Sequence, residues 1–188
     1  MLLALAACSH VLYVETQTGE FKGSLDVRWI KPDKFLYIPN KDDPFRFITP
    51  GRTFRPEKMY TDGGSIPRLF WSVPGYSPWG YGPAYIIHDW LFEAHYCDLP
   101  DYRDVSFQDS ARILAEGIKT LMATNVAPLD ETTLWAIYEA VRSPIARDVW
   151  DKPNACDRPA EALFTPDRAP PGELLFRIDM NDRRVRGK

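Results

Sequence analysis

Apolar and polar residues alternate along the first third of the chain, which is the pattern of β-strands that bury one face. Leu25, Val27 and Trp29 alternate with polar residues over residues 24–30, and apolar residues dominate 35–38 and 45–48. Residues 53–60 are predicted to form a fourth strand, after a stop at Pro50-Gly51. The pattern therefore predicts a small antiparallel sheet at the start of the domain.

Beyond residue 82 the apolar period becomes that of amphipathic helices. A first helix is predicted from Pro83 to about Tyr96, because proline is favoured in a first turn. A second begins near Ser106, where Asp109 completes an approximate capping box, and a third covers about 130–142. Residues 174–178 are predicted to add a late strand. This order indicates an α+β fold, with about three helices packed on one face of the sheet.

Composition divides the chain into residues 1–22, a single α+β domain at 23–150, and a Pro-, Arg- and Asp-rich C-terminal extension at 151–188. The run Leu5-Ala6-Ala7-Cys8 resembles the lipobox of bacterial lipoproteins, in which the cysteine is lipidated. The residues before Cys8 include no Lys or Arg and too few apolar positions for a full signal, so a chance match stays open as the alternative. Residues 1–22 are thus interpreted as a truncated lipoprotein signal followed by a polar tether.

Charge and cysteine content exclude several classes of function. The formal net charge of −3 argues against a nucleic-acid-binding protein, which would show a basic excess. Cys8, Cys97 and Cys156 have no CxxC spacing, so a structural zinc site is not expected. Two alternatives remain for Cys97 and Cys156: a disulfide in an oxidising compartment, or two buried free thiols.

Two short segments carry the candidate chemistry. In the first, Asp62 is followed by Gly63-Gly64-Ser65, a composition that allows either a tight turn or a loop that aims several N–H groups into one space. The second is the pair His88–Asp89 inside an otherwise apolar helix. The loop between them, residues 60–82, is rich in Gly and Pro.

Helix geometry separates the two members of the pair, because adjacent residues point about 100° apart. His88 shares the face of Ala84, Ile87 and Leu91 and is predicted to point inward, whereas Asp89 faces sideways. Burying both groups is costly unless they are paired or bind something. The alternatives are a satisfied core pair, with Asp89 bonded to Arg68 or a loop N–H, and a functional site.

These segments resemble a bacterial and phage family that is catalogued only as domain-of-unknown-function family 1353. The resemblance covers about residues 21–142, and it implies no settled activity. It rests on Thr61-Asp62-Gly63-Gly64-Ser65-Ile66-Pro67-Arg68, Phe70-Trp71, His88-Asp89-Trp90-Leu91 and Tyr138-Glu139-Ala140-Val141-Arg142.

The helix pair also bears a weaker resemblance to phospholipases A2, which place a His-Asp pair on a helix after a Gly-rich loop. The resemblance implies that His88 activates water, Asp89 binds Ca²⁺ and Asp109 orients His88. The chain departs from those enzymes in lacking their disulfide framework and their Gly-Cys and Gly-x-Gly loop pattern.

Two hypotheses follow from the sequence. The first is a virion or envelope accessory domain with protein partners, anchored to the membrane through Cys8, in which Asp62, His88 and Asp89 lock the loop onto the helix. Its candidate binding residues are Ser65, Arg68, Trp71 and Tyr81, with Trp79 as a further exposed aromatic. The second is a Ca²⁺- or Zn²⁺-dependent hydrolase of lipid or envelope esters or amides, with His88 as general base and Asp89 and Asp62 as metal ligands.

Overall fold

The computed structural model describes residues 2–63, 79–164 and 169–182, which form two antiparallel sheets and five α-helices. The predicted α+β class is confirmed. The helices are α1 (Leu2–Glu15), α2 (Gly82–Tyr96), α3 (Phe107–Ala123), α4 (Glu131–Val141) and α5 (Pro144–Trp150). The strands are β1 (Glu20–Lys22), β2 (Ser24–Lys31), β3 (Lys34–Pro39), β4 (Arg46–Ile48), β5 (Thr53–Phe54), β6 (Met59–Thr61) and β7 (Glu173–Asp179).

The β2–β3 hairpin is the centre of the larger sheet, whose strand order is β6-β3-β2-β7. The smaller sheet has the order β1-β4-β5. The strands predicted at 24–30, 35–38 and 45–48 are confirmed, but the single strand predicted at 53–60 is wrong. It is two strands, β5 and β6, which pair with β4 and β3 in different sheets. Pro56 lies between them, and proline cannot donate a ladder hydrogen bond.

The predicted late strand is confirmed as β7, which pairs antiparallel with β2 and places Phe176 opposite Val27. Arg177 binds Asp26 through two hydrogen bonds of 2.5 Å. The C-terminal segment is held a second time by a disulfide bond between Cys97, just after α2, and Cys156, whose Cα atoms are 4.9 Å apart. Of the two alternatives for these cysteines, the structure has the disulfide.

The helices pack against an aromatic core, in which Phe21 stacks on Phe47 with ring centroids 4.4 Å apart. Three predicted helices are confirmed as α2, α3 and α4. The predicted capping box is present, since Ser106 Oγ accepts from Asp109 N at 3.1 Å and Asp109 Oδ2 accepts from Ser106 N. Helices α2 and α3 approach closely at Gly117, where an added Cβ would lie 3.0 Å from the Cβ of Ala84.

Two helices were not predicted. Residues 9–15, interpreted as part of a polar tether, belong to α1, which packs against α4. The Leu- and Ala-rich start of the chain has high helix propensity, and Lys119 Nζ binds the carbonyl of Thr16 just beyond the helix end at 2.6 Å. The short helix α5 begins at Pro144, after the cap Ser143. None of the helices in the described ranges combines the length and apolarity needed to cross a bilayer.

Removing the disulfide should cost substantial stability, because it joins residues separated by 59 positions. In the loop-closure model, the double variant Cys97→Ala/Cys156→Ala loses roughly 4 kcal/mol of unfolding free energy. Urea denaturation measures it, with Cys8→Ser in both proteins to remove the exposed free thiol. A reducing agent should weaken only the protein that retains both cysteines. Equal stability of the two proteins would contradict the disulfide.

Candidate functional site

A cavity of about 510 Å³ opens between the end of β6, the β2–β3 turn, the face of α2 and the corner between α4 and α5. It brings together Asp62, His88 and Asp89, the three residues given central roles from the sequence. Its other described lining residues are Asp33, Lys34, Tyr60, Thr61, Phe92, Glu93, Tyr96, Ala140, Val141, Ser143, Ile145, Ala146, Val149 and Asp157.

Helix α2 supplies His88 and Asp89 and gives each a different environment. His88 is 6% exposed and lies with the apolar face of the helix, as predicted. Its ring is 4.9 Å from that of Phe92, one turn further along. Asp89 is half-buried and turned toward the end of β6. The 100° step between neighbouring positions thus puts an imidazole and a carboxyl on the same cavity from different directions.

Thr61, the last residue of β6, connects the strand to the helix. Its Oγ1 donates to Asp89 Oδ2 at 2.5 Å and accepts from Gly63 N at 3.0 Å. Gly63 has φ of +87°, a conformation that glycine adopts without a Cβ penalty. Thr61 is therefore a hydrogen-bond partner of Asp89, and it also links the helix to the N–H of Gly63 in the loop. Arg68, the other partner considered from the sequence, lies outside the described residues. Sequence reasoning did not single out Thr61, although its place between a strand and an Asp-Gly turn was a usable signal.

Burial and a neighbouring carboxylate raise the pKa of each of the two aspartates. Burial raises the pKa of Asp89 well above its usual range, the charge of Asp62 raises it further, and the Thr61 hydrogen bond partly opposes them. Asp62 is exposed on the cavity wall, yet desolvation and nearby Asp33 also raise its pKa, against a backbone hydrogen bond that lowers it. The pair therefore holds a proton more readily than isolated carboxylates do.

His88 is the most deeply buried of the three. Burial lowers its pKa to about 4, so the imidazole is neutral at pH 7. Its Nε2 is shielded from solvent and has no hydrogen-bond partner in the described structure. Tyr37 Oη and Trp90 Nε1 are in the same state away from the cavity, so what distinguishes Nε2 is that His88 lines the cavity wall.

Glu93 and Tyr96 extend the polar wall along α2, and neither was identified from the sequence. Burial raises the pKa of Glu93, which accepts a hydrogen bond from the backbone of Asp157. Burial, with the charges of Glu93 and Asp89, raises the pKa of Tyr96 to about 12, and its hydroxyl donates to the carbonyl of Val149 at 2.6 Å. The periodicity of α2 placed Glu93 one turn beyond Asp89, but only the fold shows that both line one cavity.

The opposite wall of the cavity is apolar. Val141 ends α4, and Ile145, Ala146 and Val149 follow on α5. Ile145 is 78% exposed and Val149 is 48% exposed, which is unusual for two branched apolar side chains one helical turn apart. The cavity is thus amphipathic, with carboxyls and an imidazole on one side and hydrocarbon on the other.

Metal ligation by Asp89 and Asp62 stays a prediction. Within the described ranges, one trio of His, Cys, Asp or Glu side chains has all its ligand atoms within 4.8 Å of one another: Glu93, Cys97 and Cys156. Both of its sulfurs belong to the disulfide, which leaves one carboxylate as a ligand. Asp62, His88 and Asp89 form no comparable trio among the residues that the structure describes.

Asp109, predicted to orient His88, does not do so in the structure. Its carboxylate caps α3 through Ser106 and binds Arg112 at 3.2 Å, and these hydrogen bonds, led by that of Ser106, lower its pKa. It lines a separate cavity with Arg52 and Glu116. Its position three residues into the capping box fixes it at the helix end, away from the buried imidazole.

Of the four predicted binding residues, the structure describes Tyr81. Tyr81, expected as an exposed aromatic, is 3% exposed and packs edge-on against Tyr85. Trp79 is half-buried between Phe35 and Phe176. Both residues lie just before the start of α2, and their side chains pack against other aromatic rings. Cys8 is exposed on α1 and lines a groove beside α4. Ser65, Arg68 and Trp71 lie outside the described residues.

Acid should lower the unfolding free energy of the protein through protonation of His88. Its pKa is below the usual 6.5, so the unfolded chain binds a proton that the folded chain rejects, and the unfolding free energy falls from pH 6.5 to about 4. The drop corresponds to roughly 3 kcal/mol. Denaturation curves across this range should show a shallower fall for His88→Gln. The matched control His95→Gln, on the exposed side of α2, keeps the buried imidazole and the wild-type slope. An unchanged slope in His88→Gln would contradict the assignment.

Comparison with known proteins gives one match. The model of the family described as "Protein of unknown function (DUF1353)" matches residues 42–141, or 100 of the chain's 188 residues. No curated protein and no solved structure matches the chain. The resemblance to phospholipases A2 is not supported, and Asp109 does not take the place that it implied. The matched region contains Asp62, His88 and Asp89 and ends at Val141, before α5, whereas Asp33, Lys34 and Asp157 of the cavity lie outside it. The chain belongs to the DUF1353 family, a family of proteins of unknown function.

Proposed function

We propose that this chain is a ligand-binding accessory domain of a bacterial envelope or phage particle, which takes a small amphipathic molecule into the cavity at α2. The observation that carries the proposal is the division of one cavity into two chemical halves. Asp62, His88 and Asp89 line one side, and Val141 and Ile145 line the other. Ligand sites typically combine an apolar lining with a few convergent polar groups and perturbed pKa values.

The bonding within the site favours binding over a purely structural lock. If these residues only locked the loop onto α2, every buried polar atom of the site would have a hydrogen-bond partner. The Thr61 hydroxyl is that partner for Asp89. Nε2 of His88 has no such partner, and Ile145 keeps most of its surface exposed beside the cavity. A ligand with a polar head and an apolar body would contact Ile145 directly, and its head would reach Nε2 once the imidazole ring turns.

The envelope location is supported by the disulfide, because such bonds persist in oxidising compartments. The exposed position of Cys8 on α1 is compatible with lipidation at the lipobox-like run. Anchoring through Cys8 would place the cavity near a membrane surface, where amphipathic molecules are concentrated.

The binding proposal is tested with N-phenyl-1-naphthylamine, a neutral probe that fluoresces in apolar sites. The wild-type protein should enhance its fluorescence, and Ile145→Glu should weaken binding several-fold by placing a charge on the apolar wall. Leu129→Glu is the matched control, since Leu129 is 64% exposed and lies outside the cavity. Enhancement that is absent, or equal in all three proteins, would rule out the cavity as an apolar binding site.

A second candidate function is hydrolysis of an ester or amide, favoured by the neutral His88 beside Asp89 with its raised pKa. His88 would take a proton from water as the water oxygen bonds to the carbonyl carbon. Protonated Asp89 would give its proton to the leaving oxygen or nitrogen as its bond to carbon breaks. Asp62 and Asp89 would hold Ca²⁺ or Zn²⁺ in a metal-assisted version. Binding ranks first because it requires only the polar and apolar sides of the cavity, whereas hydrolysis also requires the ring of His88 to turn before Nε2, which is shielded from solvent, can reach water.

Release of p-nitrophenolate from p-nitrophenyl octanoate tests the second candidate, in Ca²⁺, in Zn²⁺ and in chelator. A hydrolase should turn over the ester, and His88→Gln should lower the rate roughly 100-fold, the low end of general acid–base contributions. His95→Gln serves as control, and circular dichroism verifies that each variant is folded. A wild-type rate equal to that of buffer, or one that His88→Gln leaves unchanged, excludes this chemistry for such esters.

A further inference from the structure

We propose that the ligand of the α2 cavity is an ammonium amphiphile, with a primary ammonium group at the acidic end and a short hydrocarbon chain along α4 and α5. The inference rests on the proposed binding function and names its ligand class. It is drawn from the charges, the bonding and the shape of the cavity's two sides.

The charge of the described lining is one-sided. Five carboxyl side chains line the cavity, Asp33, Asp62, Asp89, Glu93 and Asp157, against one ammonium, that of Lys34. Lys34 is already engaged, with its Nζ 2.9 Å from Asp157 Oδ2. Asp62, Asp89 and Glu93 form no ion pair with any Lys or Arg in the described part of the chain. Arg158, which forms an ion pair with Glu57, is near enough for its charge to lower the pKa of Glu93. A cation entering beside Asp62 and Asp89 would meet carboxyls that have no ion pair within the described ranges.

Lys34 shows how this wall receives an ammonium group. Its Nζ lies 3.6 Å from the centroid of the Tyr60 ring while it contacts Asp157, so a cation–π contact and an ion pair act together. Deeper in the cavity, the rings of Phe92 and Tyr96 accompany Asp89 and Glu93 along α2. The same combination of aromatic and carboxyl groups is repeated there without a lysine.

His88 distinguishes an ammonium that carries N–H groups from other cations. The imidazole is 6% exposed, lines the cavity, and has an Nε2 without a partner. A neutral imidazole accepts a hydrogen bond through its unprotonated nitrogen. A primary ammonium has three donors, enough for the two aspartates and, once the imidazole ring has turned, for this nitrogen, whereas a quaternary ammonium or a sulfate has none.

The raised pKa values of Asp62 and Asp89 agree with this ligand class. Both rises come first from desolvation, and that of Asp89 next from the charge of Asp62. A bound cation would favour the ionised form of both carboxyls and so offset this repulsion. The apolar side would take the chain, since Val141, Ile145 and Val149 offer hydrocarbon at the other end of the cavity.

The test uses four additives on the full chain with its disulfide intact: octylammonium chloride, sodium octyl sulfate, octyl glucoside and calcium chloride. The three amphiphiles share one chain length and differ in head group, and each is kept below its micelle concentration. Isothermal titration calorimetry should show octylammonium binding at least tenfold more tightly than either other amphiphile. Asp62→Asn should weaken octylammonium several-fold and leave octyl glucoside unchanged.

Asp42→Asn is the matched control, because Asp42 is an exposed carboxyl outside the cavity. It should leave all four affinities unchanged. Asp62 is itself exposed, so its substitution should not disturb folding, and circular dichroism verifies this.

The outcomes distinguish a wrong head group from a wrong binding function. Octyl sulfate or octyl glucoside binding as tightly as octylammonium, and weakened by Ile145→Glu, would keep the binding function and overturn the ammonium head group. Calcium binding that depends on Asp62, with no preference among the amphiphiles, would replace the ammonium by a metal ion. No binding of any amphiphile would overturn both.

Discussion

The hydrogen bond between Thr61 and Asp89 is the interaction on which the site depends. It joins the end of a strand to the middle of a helix, across 28 positions of sequence, at a distance of 2.5 Å. Without it, Asp89 would be a half-buried carboxyl with no described hydrogen-bond partner, which is an unfavourable state. With it, the end of β6, the turn at Gly63 and the first two turns of α2 take fixed positions relative to one another. The polar side of the cavity is built on that junction.

The same junction leaves the site incompletely satisfied. Thr61 donates a hydrogen bond to Asp89, but Nε2 of His88 has no hydrogen-bond partner in the described structure. The like charges of Asp62 and Asp89 also repel each other. Proteins keep such strained groups chiefly where a ligand or a reaction uses them. The apolar side, by contrast, comes from α4 and α5, and the disulfide at Cys97 holds Asp157 at the cavity edge. Two walls of different origin therefore meet at one opening.

Local sequence patterns predicted the strands and helices that are specified by their own residues. Alternation identified β2, a run of apolar residues identified β3, and the Ser106–Asp109 capping box located the start of α3. The inward direction of His88 followed from helix periodicity alone. Helix α5 was missed because Pro144 resembles a helix stop, whereas with Ser143 as cap it is a first-turn residue. The prediction of a polar tether was wrong because the packing of α1 on α4 is a tertiary contact that composition does not reveal.

The candidate site was predicted in its central residues and not in its surroundings. Asp62, His88 and Asp89 line one cavity, but Thr61, Glu93, Tyr96 and the α5 wall required the fold, since they join segments far apart in sequence. Asp109 was misplaced because spacing along the chain does not give distance in space. Its role as the residue that orients His88 came from the resemblance to phospholipases A2, which is not supported.

A double-mutant cycle between Thr61 and Asp89 tests the central claim most directly. Unfolding free energies of the wild type, Thr61→Val, Asp89→Ala and the double variant give the coupling between the two side chains. We predict a coupling of roughly 1–3 kcal/mol, the range for contacting residues in one buried hydrogen-bond network. A coupling near zero, with each single variant folded, would mean that the bond does not hold β6 to α2, and the proposed basis of the site would be wrong.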